Sequence, residues 1–199
     1  MLRFSLVGLV ITSCLSSPVV FAKGERYGAG VSQLTLESHD YDYGSSGEQN
    51  ALRYSLVHTR PIDEDNNRWR WWLGLSYLSE SVPAPNRGVY EEVSNLELRA
   101  VPQYALGSWS IFTPYIGGGV SLGYSQYSNR WKVDAGGYRF EQLEDKQDFE
   151  VGAVVAIGSV IKLGSNPDAH LQIVPQISYT LPLVNDGIKG IELSVSLLF

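Results

Sequence analysis

The residues best suited to catalysis are the three histidines, His39, His58 and His170. Imidazole titrates near neutral pH, so a histidine held beside a serine or a carboxylate can act as a general base. Asp40 and Asp42 follow His39, but all three lie in one short segment with no second acidic and histidine cluster. No histidine has a serine two residues further along. We therefore expect an acidic surface segment here, and no catalytic residues.

A second candidate is a metal site in the acidic segment 63–67, whose sequence is Asp-Glu-Asp-Asn-Asn. A calcium loop that begins this way needs a glycine at its sixth position and a glutamate at its twelfth. Arg68 and Gly74 occupy those positions. The segment is therefore interpreted as a polar turn, and the sequence predicts neither a metal nor another cofactor.

Four charged residues occupy polar positions within otherwise apolar, alternating segments: Arg53, Glu97, Arg99 and Glu192. Counted from the same end of each segment, the four residues lie at similar heights along the predicted strands. In a narrow barrel, charges at one height would touch and would not stay unpaired. We predict that they form a charge network in the lumen. It is either a structural plug that fills the space or a gate that opens to ions.

The elements that must position these charges are β-strands, because apolar and polar residues alternate with a period of two. The clearest case is the C-terminus, where Ile191, Leu193, Val195, Leu197 and Phe199 share one face. The first strand is less regular, and a bulge near residues 32–33 would explain its change of phase. The pattern predicts eight strands, near residues 27–36, 52–56, 69–77, 96–104, 112–124, 149–157, 171–179 and 191–199.

The first 22 residues are expected to be a cleaved signal peptide, with the domain occupying residues 23–199. Arg3 precedes an apolar stretch, and Val20-Phe21-Ala22 offers a cleavage site before Lys23. An alternative processing site would make Cys14 a lipidated N-terminus. Cleavage after Ala22 removes the only cysteine and takes Lys+Arg from 15 to 14 against 21 acidic residues, a net charge of −7. Such a chain contains no disulfide, and its acidity gives no reason to bind nucleic acid.

Membrane insertion is indicated by what lies on each face of the strands. No segment after the signal reaches the ~18 apolar residues of a membrane helix, so a spanning chain must form a closed barrel. A soluble barrel of the lipocalin type would carry many lysines and glutamates outward, whereas here the polar face is mostly Gly, Ser, Thr and Gln.

Aromatic residues collect near strand ends, as in membrane girdles. Long segments, 37–50, 79–93 and 126–147, alternate with shorter ones, as outer loops alternate with periplasmic turns.

The C-terminal segment Ile191–Phe199 resembles the terminal signature of bacterial outer-membrane barrels. The segment Thr113–Val120 resembles a strand of the small OmpA/OmpX-like barrels, in the porin-like superfamily. The resemblance implies that the barrel-assembly machinery recognises the last strand, with Phe199 as the assembly signal. Leu197 departs from the family, which prefers an aromatic residue there.

The sequence thus predicts an all-β, eight-stranded, antiparallel up-and-down transmembrane barrel of the Gram-negative outer membrane. We expect a non-enzymatic scaffold whose loops contact lipopolysaccharide or surface partners. The alternatives are a narrow gated pore for ions or small solutes, and a lipid-active enzyme.

Overall fold

In this computed structural model, the described residues form nine antiparallel β-strands. The structure describes residues 24–37, 48–62, 68–82, 88–107, 111–134, 136–163, 171–184 and 188–199. The strands are β1 Arg26–Glu37, β2 Glu48–Pro61, β3 Trp69–Val82, β4 Gly88–Ala105, β5 Phe112–Val133, β6 Arg139–Gln142, β7 Lys146–Lys162, β8 Gln172–Val184 and β9 Gly190–Leu198.

Eight of these strands close into a barrel, as predicted. The sheet runs β4-β3-β2-β1-β9-β8-β7-β5-β6, and β4 also pairs with β5, which joins the two sides. The first and last strands meet at β1–β9, where Tyr27 and Phe199 exchange backbone hydrogen bonds of 3.2 and 2.9 Å. We call the end that carries β1's start and β9's finish the termini end, and the opposite end the loop end.

The barrel turns its apolar residues outward and its polar residues inward. On β9, Leu193 and Val195 are 53% and 51% exposed, whereas Glu192 and Ser196, which flank them, are buried. This alternation confirms the predicted choice of faces. An apolar surface of this kind is unfavourable in water and suits hydrocarbon. The outward row includes Leu52, Leu75, Leu98, Ile116, Leu122, Val155, Ile157, Ile177 and Ile191, all exposed.

Exposed aromatic residues occur near both ends of the outer surface. Trp69, Trp71 and Phe112 are exposed at the termini end. Tyr124 and Phe149 are exposed nearer the loop end and pair directly across β5 and β7. These two groups agree with the predicted girdles, since aromatic rings favour the level of the lipid headgroups.

The predicted bulge in the first strand is wrong. β1 pairs with β2 in unbroken register from Arg26 to Glu37. Leu34 departs from the outward apolar phase because it points into the lumen, where its exposure is 1%. There it packs against Ala51, Leu78 and Val93. This apolar side chain on the inner phase therefore fills part of the lumen.

Two of the predicted long loops are also wrong, because strands continue through them. The segment 79–93 contains the end of β3 and the start of β4. The segment 126–147 contains the end of β5, the short strand β6 and the start of β7. β6 pairs with β5 beyond the point where β7 ends its own pairing, so a hairpin extends the wall at the loop end. The third long segment lies mostly outside the described residues.

Glycines on β5 allow it to approach β4 closely. A side chain on Gly119 would collide with the carbonyl oxygen of Ala100 on β4. Strand packing therefore explains Gly119, and also Gly117, where a Cβ would lie 2.9 Å from Val101, whereas Gly118 has space for a side chain.

In the described part of the chain, no helix is long and apolar enough to cross a bilayer. The predicted signal peptide, its cleavage site and Cys14 lie outside the described residues.

Candidate functional site in the barrel lumen

The four predicted lumen charges meet in the middle of the barrel. Arg53 lies on β2, Glu97 and Arg99 on β4, and Glu192 on β9. Each is on the inward phase of its strand, and each residue is at most 8% exposed. Strands that are distant in sequence thus bring two cations and two anions to one level. We call this set the charge ring.

Each cation of the charge ring contacts both anions. Arg53 Nη1 lies 3.3 Å from Glu97 Oε1 and 3.0 Å from Glu192 Oε2. Arg99 Nη2 lies 2.7 Å from Glu192 Oε2, and Arg99 Nε donates to Glu97 Oε1. The ring is neutral as a whole, and each charge has two opposite neighbours. Buried charges need this kind of pairing, because one charge without its partner is strongly unfavourable.

Neutral polar side chains complete the hydrogen bonding of the two arginines. Arg53 Nη2 donates to Asn95 Oδ1 at 3.3 Å. Arg99 donates to the hydroxyls of Ser178 and Thr180 on β8, both at 3.3 Å. The ring is therefore fixed to the wall by β8 as well as by β2, β4 and β9. One atom, Arg53 Nε, is buried without a hydrogen-bond partner among the described residues.

A chain of hydrogen bonds leads from the ring toward the loop end. Asn95 Nδ2 donates to Ser125 Oγ at 2.9 Å, and Ser125 Oγ donates to Glu150 Oε1 at 2.5 Å. Glu150 Oε2 in turn accepts the backbone N–H of Ile188, just before β9, at 3.1 Å. The sequence prediction did not include Asn95, Ser125 or Glu150. Their inward phase was readable, but their contacts depend on how the strands are staggered.

Buried apolar side chains form a layer on each side of the ring. The loop-side layer consists of Leu34, Ala51, Leu78 and Val93, with Tyr127 and Ile188 packed against it. The termini-side layer consists of Val57, Trp72, Val101, Tyr115, Val154, Ala156, Val160, Val174 and Leu198. On β4, Val93 and Val101 stand on either side of Glu97 and Arg99, so the ring lies between the two layers.

A second polar cluster, which the sequence prediction missed, surrounds Arg70 at the termini end. Arg70 Nε donates to Gln103 Oε1 at 2.8 Å, and its guanidinium lies 4.7 Å from the ring centroid of Tyr115. Gln103 and Tyr115 both donate to Gln176 Oε1, at 3.1 and 3.0 Å. The alternation pattern placed Arg70 on the polar face of its strand. Its position at the termini end of the lumen depends on strand lengths, which the pattern does not specify.

Of the three histidines that first suggested catalysis, the structure describes only His58. His58 stacks on Tyr27 with ring centroids 4.4 Å apart, and its Nε2 lies 4.0 Å from Glu25 Oε2. The described residues contain no group of three His, Cys, Asp or Glu side chains able to hold a metal. His39, Asp40, Asp42, His170 and the acidic segment 63–67 lie outside the described residues.

Comparison with known proteins agrees with the fold. No protein-family model and no curated protein matches the sequence. Among solved structures, Neisserial surface protein A is 17% identical with a TM-score of 0.57, and the match covers 88% of this chain and 96% of that one. Ail of Yersinia pestis is 12% identical with a TM-score of 0.49, covering 89% and 96%. The N-terminal barrel of Pseudomonas aeruginosa OprF is 12% identical with a TM-score of 0.47, covering 88% and 96%.

The closed eight-stranded wall, the polar lumen and the apolar outer surface therefore lead to one assignment. By its fold, the chain is a closed eight-stranded antiparallel β-barrel with an apolar outer surface, similar to that of Neisserial surface protein A.

Proposed function

We propose that the protein is a non-enzymatic scaffold of the outer membrane, whose closed barrel presents a hairpin to lipopolysaccharide or a surface partner. The observation that carries this proposal is the filled lumen, with a neutral charge ring between two apolar layers. An eight-stranded barrel has an interior just wide enough for side chains to fill. A lumen filled in this way supports a structural role for the ring.

The second candidate function is a narrow gated pore. The hydrogen-bond chain from Arg53 through Asn95, Ser125 and Glu150 to Ile188 favours it, because a displacement of Ile188 would be transmitted to the ring. A gate also requires both apolar layers to separate. Conductance in planar bilayers distinguishes the two functions, because a sealed lumen passes no ions.

The hairpin of β5 and β6 is the surface that we propose for partner contact. Tyr138 and Phe140 are 75% and 64% exposed at its outer part. Lys132 and Glu141 pair across the hairpin at 2.7 Å, and Arg139 lies 3.8 Å from the ring centroid of Tyr90. These contacts hold the hairpin in shape while two aromatic rings remain uncovered. Exposed aromatic side chains beside paired charges suit a ligand that combines apolar and polar groups.

We expect the double variant Tyr138→Ser, Phe140→Ser to bind purified lipopolysaccharide about thirtyfold more weakly, since each ring would contribute about 1 kcal/mol of buried apolar contact. Binding to folded protein in detergent, followed by surface plasmon resonance, measures this. Tyr77→Ser is the matched control, because Tyr77 is an exposed aromatic residue on the barrel wall. Equal affinities for the double variant and the parent would remove lipopolysaccharide as the hairpin's ligand.

We also propose that the barrel-assembly machinery recognises β9 with Phe199 at its tip. The mutual backbone hydrogen bonds of Phe199 and Tyr27 support this, since they join the strand to β1 at the seam that closes the barrel.

Deleting Phe199 should lower the amount of protein in the outer membrane several-fold and increase its degradation in the periplasm. Immunoblots of membrane fractions at low expression measure this. Deleting residue 199 also removes the two hydrogen bonds, so Phe199→Ala, which keeps the backbone, is the necessary companion. If Phe199→Ala accumulates as the parent does, the side chain is not the signal.

A further inference from the structure

The outer surface carries an apolar groove close to the termini end. It has a volume of about 290 Å³ and crosses β1 to β4. Its lining includes Tyr27, Ala29, Leu56, His58, Leu73 and Leu98, and the terminal Phe199 borders it. These are outward positions, so the groove opens toward lipid and is separate from the lumen.

The size of the groove follows from a small residue within a row of larger ones. Ala29 pairs with Leu56, which pairs in turn with Leu75 and Leu98 along the same level of the wall. The short side chain of Ala29 leaves a depression beside Leu56 that longer residues would fill. A dry apolar cavity of about 150 Å³ can hold benzene. This groove therefore has room for a length of acyl chain.

A positively charged residue, Arg60, lies beyond the groove in the direction of the termini end. Arg60 lies two residues beyond His58 on the outward phase of β2, about 7 Å further at 3.3 Å per residue. Arg60 is exposed, and its side chain forms no ion pair or hydrogen bond with another described residue. Trp71 pairs with Arg60 across β2 and β3 and is itself exposed. A tryptophan beside an arginine is the arrangement expected at the level of lipid headgroups.

We propose that this groove binds one phospholipid of the leaflet at the termini end, with an acyl chain along Ala29 and Leu56 and the phosphate at Arg60. The groove is continuous with the lipid-facing surface, so it meets acyl chains rather than water. The charge at its end matches an anionic headgroup, because a guanidinium binds phosphate with two parallel hydrogen bonds. The proposal concerns the outer wall and does not depend on what the hairpin binds.

Native mass spectrometry of the folded protein in nonionic detergent tests the site, with palmitoyl-oleoyl phosphatidylglycerol as the probe. The parent should retain one lipid. Ala29→Leu fills the depression and should lower retention about fivefold. Ala153→Leu makes the same change at an outward position of β7, far from the groove, and should retain lipid as the parent does.

The headgroup is tested separately by Arg60→Gln. This variant should bind phosphatidylglycerol about fivefold more weakly, while its binding of dioleoylglycerol, which lacks the phosphate, should be unchanged. The slower gel migration of each variant after heating verifies that its barrel is folded. Retention in Ala29→Leu equal to that of the parent would overturn the proposal. So would an equal loss in Ala153→Leu, or the detection of lipid-free dimers, which would indicate that a second copy covers the groove.

Discussion

Replacing Glu192 by Gln should lower the free energy of unfolding by about 3–5 kcal/mol. Glu192 is 5% exposed and contacts both Arg53 and Arg99, so its loss leaves two buried cations with only Glu97 between them. Removing one partner of a buried ion pair carries a cost of that order, because water does not replace the lost counter-ion in the interior. Urea titration of the barrel in lipid vesicles, followed by tryptophan fluorescence, measures it.

Two further variants show whether the effect belongs to the charge ring. Glu141→Gln breaks an ion pair with Lys132 at the exposed hairpin, and should change the stability by less than about 1 kcal/mol. The double variant Glu192→Gln, Arg99→Gln restores neutrality and should recover part of the loss. If Glu192→Gln is no more destabilising than Glu141→Gln, the ring does not contribute to stability as its geometry suggests.

Replacing Leu193 by Arg should destabilise the barrel in lipid by about 2–4 kcal/mol. Leu193 is 53% exposed and lies between Ile191 and Val195 on the outward face of β9. A charge there would enter hydrocarbon, since the outward face is the lipid face. The same vesicle titration measures the change.

Tyr138→Arg supplies the control for Leu193→Arg, since Tyr138 is exposed on the hairpin beyond the barrel wall. We expect it to be neutral. A harmless Leu193→Arg would contradict the assignment of the outward face to lipid.

The sequence alone was sufficient to predict the closed barrel and its faces. On β9 every second residue is apolar, and this period of two assigns Leu193 outward and Glu192 inward without any structure. Membrane strands follow this rule closely because lipid tolerates few polar groups on the outer face. The eight-strand count followed from the same pattern.

The alternation of apolar and polar residues did not predict the strand correctly where an apolar side chain points into the lumen. Leu34 looked like a break in phase, although β1 is regular and the residue belongs to the loop-side layer. Beyond the lipid region, the extra strand β6 was missed, because outside hydrocarbon neither face has to be apolar and the pattern disappears. Tyr138 and Phe140 therefore looked like loop residues.

The charge ring was predictable only in part. The inward phase of Arg53, Glu97, Arg99 and Glu192 could be read from the pattern, and their common height could be counted roughly. The individual contacts depend on strand tilt and stagger, which determine that Arg99 reaches β8 while Arg53 reaches Asn95. The side-chain periodicity does not specify that stagger.

The sealed lumen is the central claim, and single-channel recording of the folded protein in planar bilayers tests it most directly. The parent should show no openings above the baseline, since apolar layers close the barrel on both sides of the charge ring. Glu192→Gln should also remain silent despite its lower stability, because both layers persist in it. Openings in Glu192→Gln alone would identify the ring as a gate, and steady conductance of the parent would contradict the sealed scaffold.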